Sequence, residues 1–357
     1  MGINPSMVTQ SFWQGKRVLV TGHTGFKGLW LTLWLERLGA NVSGVSLLPE
    51  TSPNLYELSH FYKSNQSTIC DIRNLKDLSE VCRLHNPEIV FHLAAQPLVR
   101  ESYIKPIETF DSNVMGTANL LESLRELQEL QSVVLITTDK VYKDNGLQKP
   151  YSESDHLGGH DPYSASKAAC EIIIDSYRKS FFNELNIPIA SARAGNVIGG
   201  GDWSKDRLIP DAIKAWNANE ILEIRRPDST RPWQHVLEPL SGYIDLAEKI
   251  IITPEKAQAY NFGPVDQSHA SVKEVIEIAR KYYGKGEVSF QQIKQGPHEA
   301  DWLSLNIQKA SIELGFEPKW NLQETIQHTI EWYKDFSNGE DPIALCHKQI
   351  DIYESVL

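Results

Sequence analysis

The stretch that most limits what this chain can become lies at residues 17–28. Arg17-Val18-Leu19-Val20 is a short β-branched run that reads as a buried strand. It ends in Thr21, and Gly22-His23-Thr24-Gly25-Phe26-Lys27-Gly28 follows with G-x-x-G-x-x-G spacing. Leu31, Trp34, Leu35 and Leu38 then recur at helical intervals, and Gly39 stops the helix. Glycine is needed where the backbone turns tightly, where it approaches a pyrophosphate, and where a helix packs closely on a strand. A helix starting there turns free N–H groups and the positive end of its dipole toward a phosphate. The plain alternative is an ordinary strand–helix turn, but the position directly after a first strand favours a phosphate loop.

The same alternation continues. Strand signals recur at Asn41–Ser46, Ser67–Cys70, Ile89–Leu93, Val133–Thr137 and Ile187–Ser191, with helical stretches at Leu75–Leu84, Pro106–Leu127 and Tyr163–Leu185. Strands that are apolar throughout and alternate with helices predict a parallel sheet covered on both faces. From Gly199-Gly200-Gly201 the elements become shorter, with helix signals at Pro239–Ile252, Val272–Tyr283 and Leu322–Asp335. The expected fold is α/β: a Rossmann-like doubly wound parallel sheet with a smaller C-terminal substrate-binding lobe. Residues 1–13 read as a tail, 14–198 as the dinucleotide-binding domain, and 199–357 mainly as the lobe, some segments returning to the first domain.

Composition narrows the partners. With 46 acidic against 35 basic residues, the formal net charge is -11, a surface that repels nucleic acid and anionic lipid. An anionic ligand would have to be met by a few local Arg or Lys. Cys70, Cys82, Cys170 and Cys346 are scattered, so neither a disulfide framework nor a zinc site is expected. His156 and His160 are separated by Gly158-Gly159, which breaks any helical ligand face, and no metal is expected. No apolar run reaches the length of a membrane span, and no signal peptide precedes the first strand. The expectation is a cytoplasmic protein with reduced thiols.

Two further motifs carry chemistry. Tyr163-Ser164-Ala165-Ser166-Lys167 is Y-x-x-x-K, which stacks both side chains on one helical face. A phenol with a pKa of about 10 is a poor base at neutral pH. A neighbouring ammonium and a cationic nicotinamide both favour the phenolate. Thr137-Thr138-Asp139-Lys140 follows the fifth strand, and residues just past a strand's C-terminal end face the ligand crevice of such sheets. Thr138 can hold a sugar hydroxyl, with Asp139 and Lys140 as an acid/base pair beside it. The end of the second strand, Ser46-Leu47-Leu48-Pro49-Glu50, has neither an acid for a ribose nor an Arg for a ribose phosphate. NAD is therefore preferred to NADP. Asp71, after the third strand, is the natural partner for an adenine amino group, with capping of the next helix as its alternative role.

Together, the glycine loop, His92-Leu93-Ala94-Ala95-Gln96, Asn113-Val114-Met115-Gly116-Thr117, Thr138, Y-x-x-x-K and Arg193-Ala194-Gly195-Asn196-Val197 resemble the extended short-chain dehydrogenases/reductases acting on nucleotide sugars. The likeness covers nearly the whole chain. Thr138-Asp139 followed by an acid/base residue resembles the sugar 4,6-dehydratases within that group. Most of those carry Glu where this chain has Lys140. That Lys, with the run from Arg193 to Trp203 and Arg231-Pro-Trp-Gln-His-Val236, is similar to the branch whose substrate is CDP-glucose.

The resemblance implies NAD contacts at Gly22, Thr24, Gly25, Phe26, Lys27, Gly28, Asp71, Ile72, Leu93, Ala94, Ala95, Thr137, Tyr163 and Lys167. It implies substrate contacts at Gln96, Asn196, Arg207 and Arg231, with Trp203 and Trp233 placed near the nucleotide for stacking. His298-Glu299-Ala300-Asp301 matches a late contact loosely. Tyr163 would deprotonate the hydroxyl on carbon 4, Lys140 would take the proton from carbon 5, and Asp139 would protonate the hydroxyl leaving carbon 6. Thr138 would hold the sugar, and Lys167 would bind the nicotinamide ribose and tune Tyr163. A lysine with an ordinary pKa of about 10.4 is not a base at neutral pH, so a cationic Lys140 stabilising an enolate competes with the base role. The relatives also imply a homodimer packed through Pro106–Leu127 and Tyr163–Leu185. A nucleotide-sugar 4-epimerase, or a non-catalytic protein that binds NAD or a nucleotide sugar, are the competing readings.

Overall fold

The computed structural model describes residues 10–356 apart from 145, 148, 265–268 and 292–301. The segment His298-Glu299-Ala300-Asp301 lies outside the described residues. Seven strands form the main sheet: β1 (Arg17–Thr21), β2 (Asn41–Ser46), β3 (Ser67–Ile69), β4 (Ile89–His92), β5 (Ser132–Ile136), β6 (Ile189–Ala194) and β7 (Ala259–Phe262), in the order β7-β6-β5-β4-β1-β2-β3. Every neighbouring pair is parallel.

Strand residues alternate between two apolar faces. Leu19, Val90, Val133, Leu135 and Ile189 meet the helices α2 (Leu75–His85), α3 (Gly116–Leu124) and α4 (Pro162–Tyr177). Val18, Val20, Phe91, Val134, Ile136 and Ala192 meet α1 (Phe26–Arg37) and α5 (Leu237–Ile252) on the other side. With both faces covered, period-two alternation does not show as polar against apolar, and the strands read as continuous apolar runs. Strand order reverses between β1 and β4, which opens a crevice at the C-terminal ends of β1, β4, β5 and β6.

Several boundaries differ from expectation. The sixth strand runs Ile189–Ala194 rather than from Ile187, and Pro188, which has no N–H to donate, lies just before it. The strand also carries Ser191 and Arg193, whose polarity hid its second half from a reading based on apolar runs. The long helical stretches contain π-helical turns at Asp111–Met115 and Arg178–Phe182. Beyond residue 199, β7 joins the edge of the main sheet, and three two-stranded ribbons pair Val197–Ile198 with Gln234–His235, Thr230–Pro232 with His269–Ser271, and Ile221–Ile224 with Glu287–Phe290. α6 (Leu322–Ser337) and α7 (Pro342–Ser355) complete the outer layer, α7 packing against α1. All four cysteines are free thiols. Among the described residues no helix is long and apolar enough to cross a membrane, and no cluster suits a metal ion.

Candidate functional site

The glycine loop is closed by contacts that leave no room for side chains. Gly22 has φ +78°, and a Cβ there would lie 2.7 Å from the backbone nitrogen of Ala94. A Cβ on Gly28 would lie 2.0 Å from the carbonyl oxygen of Gly22. Gly25 caps α1 without a side-chain hydrogen bond, so the first N–H groups of the helix stay open to an anion. This cradle fits the pyrophosphate of a dinucleotide. Leu93, Ala94 and Ala95 follow β4 on its other side, and Ile72 packs on Gly116 where a Cβ would come within 2.5 Å of its Cδ1.

Side chains of the loop point in different directions. His23 turns away into the core, bonds Ser67 Oγ at 2.7 Å and lies against Gly44; burial pushes it down to about 4, so it is neutral. Thr24 donates to the Leu47 carbonyl and lies 2.8 Å from Ser46 Oγ, tying the loop to the end of β2. Asp71 is gripped by Arg73, whose Nη2 donates to Oδ2 at 2.6 Å, and Asn74 rather than Asp71 caps α2. Lys27 donates to the Tyr243 hydroxyl at 3.0 Å, and burial, aided by Arg207 and Lys167, pushes its ammonium down to about 7. An anion arriving at the loop would meet Lys27 and restore its charge.

At the end of β5 the chain turns through a short 3-10 segment, Asp139–Val141, with Thr138 as its cap. The Thr138 hydroxyl donates to Asp139 Oδ1 at 3.0 Å. Tyr163 enters from the first turn of α4, which begins at Pro162 and is capped by Asp161. Its phenol meets the Thr138 hydroxyl; burial pushes it up to about 12, Thr138 and Arg207 opposing and Asp139 reinforcing that shift. One turn on, Lys167 donates to the Ile136 carbonyl at 3.1 Å, and burial lowers its pKa. Burial raises the pKa of Asp139 against the pull of Lys140, Thr138 and Arg231, which favours a carboxyl able to donate a proton. Lys140 is half-buried beside it. The π turn supplies Asn113, which holds Ser166 Oγ at 2.8 Å beneath the Tyr163 backbone.

A buried network braces this turn from behind. Thr137 and Ser191 donate to Glu171, Arg193 pairs with Glu171 at 2.7 Å and donates to Tyr142, and Tyr142 donates to Asn261 on β7. Thr138, Asp139, Tyr163 and Lys167 therefore converge, with Lys27, Arg207 and Arg231 around them. Tyr243, fully buried on α5, also belongs here, and nothing in its apolar helix pattern marked it.

The other residues expected to contact a ligand have the following surroundings in the protein. The Gln96 amide braces its own loop, donating to Leu98 and Thr109 and accepting from the Leu98 N–H. Asn196 is half-buried with φ +35°. Arg207 pairs with Asp202, and Arg231 is buried, donating to the Thr230 carbonyl. Trp203 lies edge-on to Trp332, Tyr333 and Phe336, and buried Trp233 donates to the Ala270 carbonyl.

The chain is 45% identical over 355 residues to CDP-glucose 4,6-dehydratase of Salmonella typhimurium, covering 98% of this chain and 99% of that one. It is 27% identical to human dTDP-D-glucose 4,6-dehydratase over 90% of each chain. The fold matches a Bacillus anthracis dTDP-glucose 4,6-dehydratase solved with NAD, at TM-score 0.74 and 22% identity over 91% of this chain and 99% of that one. It also matches Thermotoga maritima UDP-glucose 4-epimerase, at TM-score 0.76 and 21% identity over 90% and 99%. The protein-family model for GDP-mannose 4,6 dehydratase matches residues 19–329, and the chain belongs to that family.

Proposed function

We propose that this chain converts CDP-glucose into CDP-4-keto-6-deoxyglucose and water, using NAD that is regenerated in each turnover. The observation that carries the reading is the placing of a buried phenol, Tyr163, and a buried carboxyl whose pKa burial raises, Asp139, around Thr138 at one strand end. The near full-length likeness to the Salmonella enzyme supports the substrate. The Gly22–Gly28 cradle, with Tyr163 and Lys167, would hold NAD, which would supply hydride acceptance at carbon 4 of the hexose and hydride return at carbon 6. Tyr163 takes the proton from the hydroxyl on carbon 4, and Lys167 favours its phenolate. The new ketone acidifies carbon 5; Lys140 removes that proton and later gives it back. Asp139 protonates the hydroxyl that leaves carbon 6 as water, and the proton held by Tyr163 resets it. Thr138 holds the sugar, and Arg207 and Arg231 supply positive charge for the diphosphate.

The test is incubation with NAD and CDP-, dTDP-, UDP- or GDP-glucose, followed by mass detection of a product lighter by one water. Loss of water from the CDP sugar supports the reading; a change of configuration at carbon 4 without loss of mass would replace it with an epimerase. Lys140→Met separates the two roles of that residue. Exchange of the carbon 5 hydrogen with solvent is expected to fall by at least 10²-fold, the usual scale for a positioned base. Unchanged exchange would leave Lys140 as a cation beside the enolate.

We also propose a homodimer through α3, α4 and the turns before α3. Ile107 and Ile172, 78% and 62% exposed, lie on helices packed against each other, and exposed apolar side chains on neighbouring helices suit a protein interface. Light scattering should give twice the chain mass for the wild type and a single chain for Ile107→Asp/Ile172→Asp. A wild type that runs as a single chain would overturn this assembly.

A further inference from the structure

We propose that Gly195 is a positioning residue for the loss of water: the space left by its missing side chain seats the Asp139 carboxyl. This rests on the dehydratase reading above and assigns a new part within it.

The seat follows from strand register. Ile136 on β5 lies opposite Ala192 on β6, and the Thr137 N–H continues the ladder to the Ala192 carbonyl at 2.9 Å. β6 ends at Ala194 and the chain after β5 turns at Asp139, so Asp139 and Gly195 meet just past the paired ends of the two strands. A Cβ on Gly195 would lie 1.8 Å from Asp139 Oδ2 and 2.2 Å from its Cγ, and the three nearest atoms to such a Cβ all belong to Asp139. Real side chains cannot approach so closely, so a methyl group here and the carboxyl as placed exclude each other.

Chemistry gives the contact its purpose. Asp139 is 1% exposed; Oδ1 accepts from Thr138, while Oδ2 is buried without a hydrogen bond. A carboxyl oxygen laid on a Cα, with no donor facing it, is poorly placed to carry charge, which keeps the acid form available. The seat is itself held. Gln234, 1% exposed, donates from Nε2 to the Gly195 carbonyl at 3.0 Å and to the Phe262 carbonyl at 3.1 Å, pinning the turn after β6 to the end of β7. Any residue with a Cβ at position 195 would push the Asp139 carboxyl off Oδ2's present site and away from the oxygen it must protonate.

The test uses full-length protein with NAD and CDP-glucose, following reduced nicotinamide by absorbance and loss of water by mass. Gly195→Ala is expected to slow water loss about 10²-fold, the lower range for a general acid, while oxidation at carbon 4 persists and reduced nicotinamide accumulates. A displaced acid cannot be displaced twice. Gly195→Ala added to Asp139→Ala should therefore change water loss by less than about twofold, the scale of independent behaviour, and in that background the methyl has room. Three outcomes overturn the proposal: wild-type water loss in Gly195→Ala, equal loss of oxidation and elimination, or a further large loss on top of Asp139→Ala. A wild type that leaves CDP-glucose untouched overturns the dehydratase reading, whereas those three outcomes in an active wild type overturn this proposal alone.

Discussion

Tyr163→Phe is expected to lower product formation by about 10³-fold, midway in the range for general acid–base catalysis, and to abolish the appearance of reduced nicotinamide with it. The two readouts fall together because the phenol acts before the steps assigned to Asp139 and Lys140. The pH dependence has a definite sign. Burial lifts the Tyr163 phenol to about 12 in the protein alone, and only the phenolate accepts a proton. The rate of carbon 4 oxidation should therefore climb with pH below the phenol pKa, and a cationic nicotinamide should shift that climb to lower pH. Single-turnover oxidation measured across the pH range should rise for the wild type and stay flat for Tyr163→Phe. A variant that keeps a tenth of the wild-type oxidation rate would remove Tyr163 from the base role.

The largest expected effect on stability belongs to Arg193→Met, about 3–5 kcal/mol at neutral pH, the cost of stranding one member of a buried ion pair. Arg193 and Glu171 are both nearly fully buried, 4% and 3% exposed at their side chains. Burial works against the Glu171 charge, but Arg193 and the hydroxyls of Thr137 and Ser191 outweigh it, so its pKa is lowered. A lowered folded-state pKa contributes stability above the ordinary carboxylate range, and that contribution is lost as pH falls through the folded value. Without Arg193, burial acts with less opposition, Glu171 shifts upward, and the variant regains stability as it protonates. The gap between wild type and variant in urea unfolding should thus narrow from neutral to mildly acid pH. A loss below about 1 kcal/mol at neutral pH, typical of an exposed pair, would contradict this account.

Much of this was legible because its signals are local. The glycine loop and Tyr163-x-x-x-Lys167 announce themselves by spacing within a few residues, and β1, β4 and β5 by apolar runs. What escaped depends on a distant partner. Arg193 has the residue type of a phosphate ligand, but its carboxylate partner sits on α4, 22 positions earlier. Lys27 meets Tyr243 across 216 positions, and β7 is a strand only because the edge of β6 is there to pair with it. Gln96 and the two tryptophans have the polar or aromatic character of ligand contacts, and their intramolecular contacts are likewise not visible in the sequence. Gly195 was read only as part of a motif, because the benefit of its missing side chain exists only once β5 and β6 are aligned.

The docking of α7 bears on how the protein is made. Tyr353 donates to Glu238 at 2.7 Å, Trp34 of α1 donates to Glu354 at 2.8 Å, and Leu345, Cys346 and Ile350 enter the same core as Trp30 and Trp34. α1 leaves the ribosome early, and the segment that covers its outer side follows only after most of the sheet has been synthesised. Until then Trp34 lacks its partners Glu354 and Tyr353, and apolar surface left open in this way on a nascent chain favours chaperone binding and, if translation stalls before α7 emerges, aggregation.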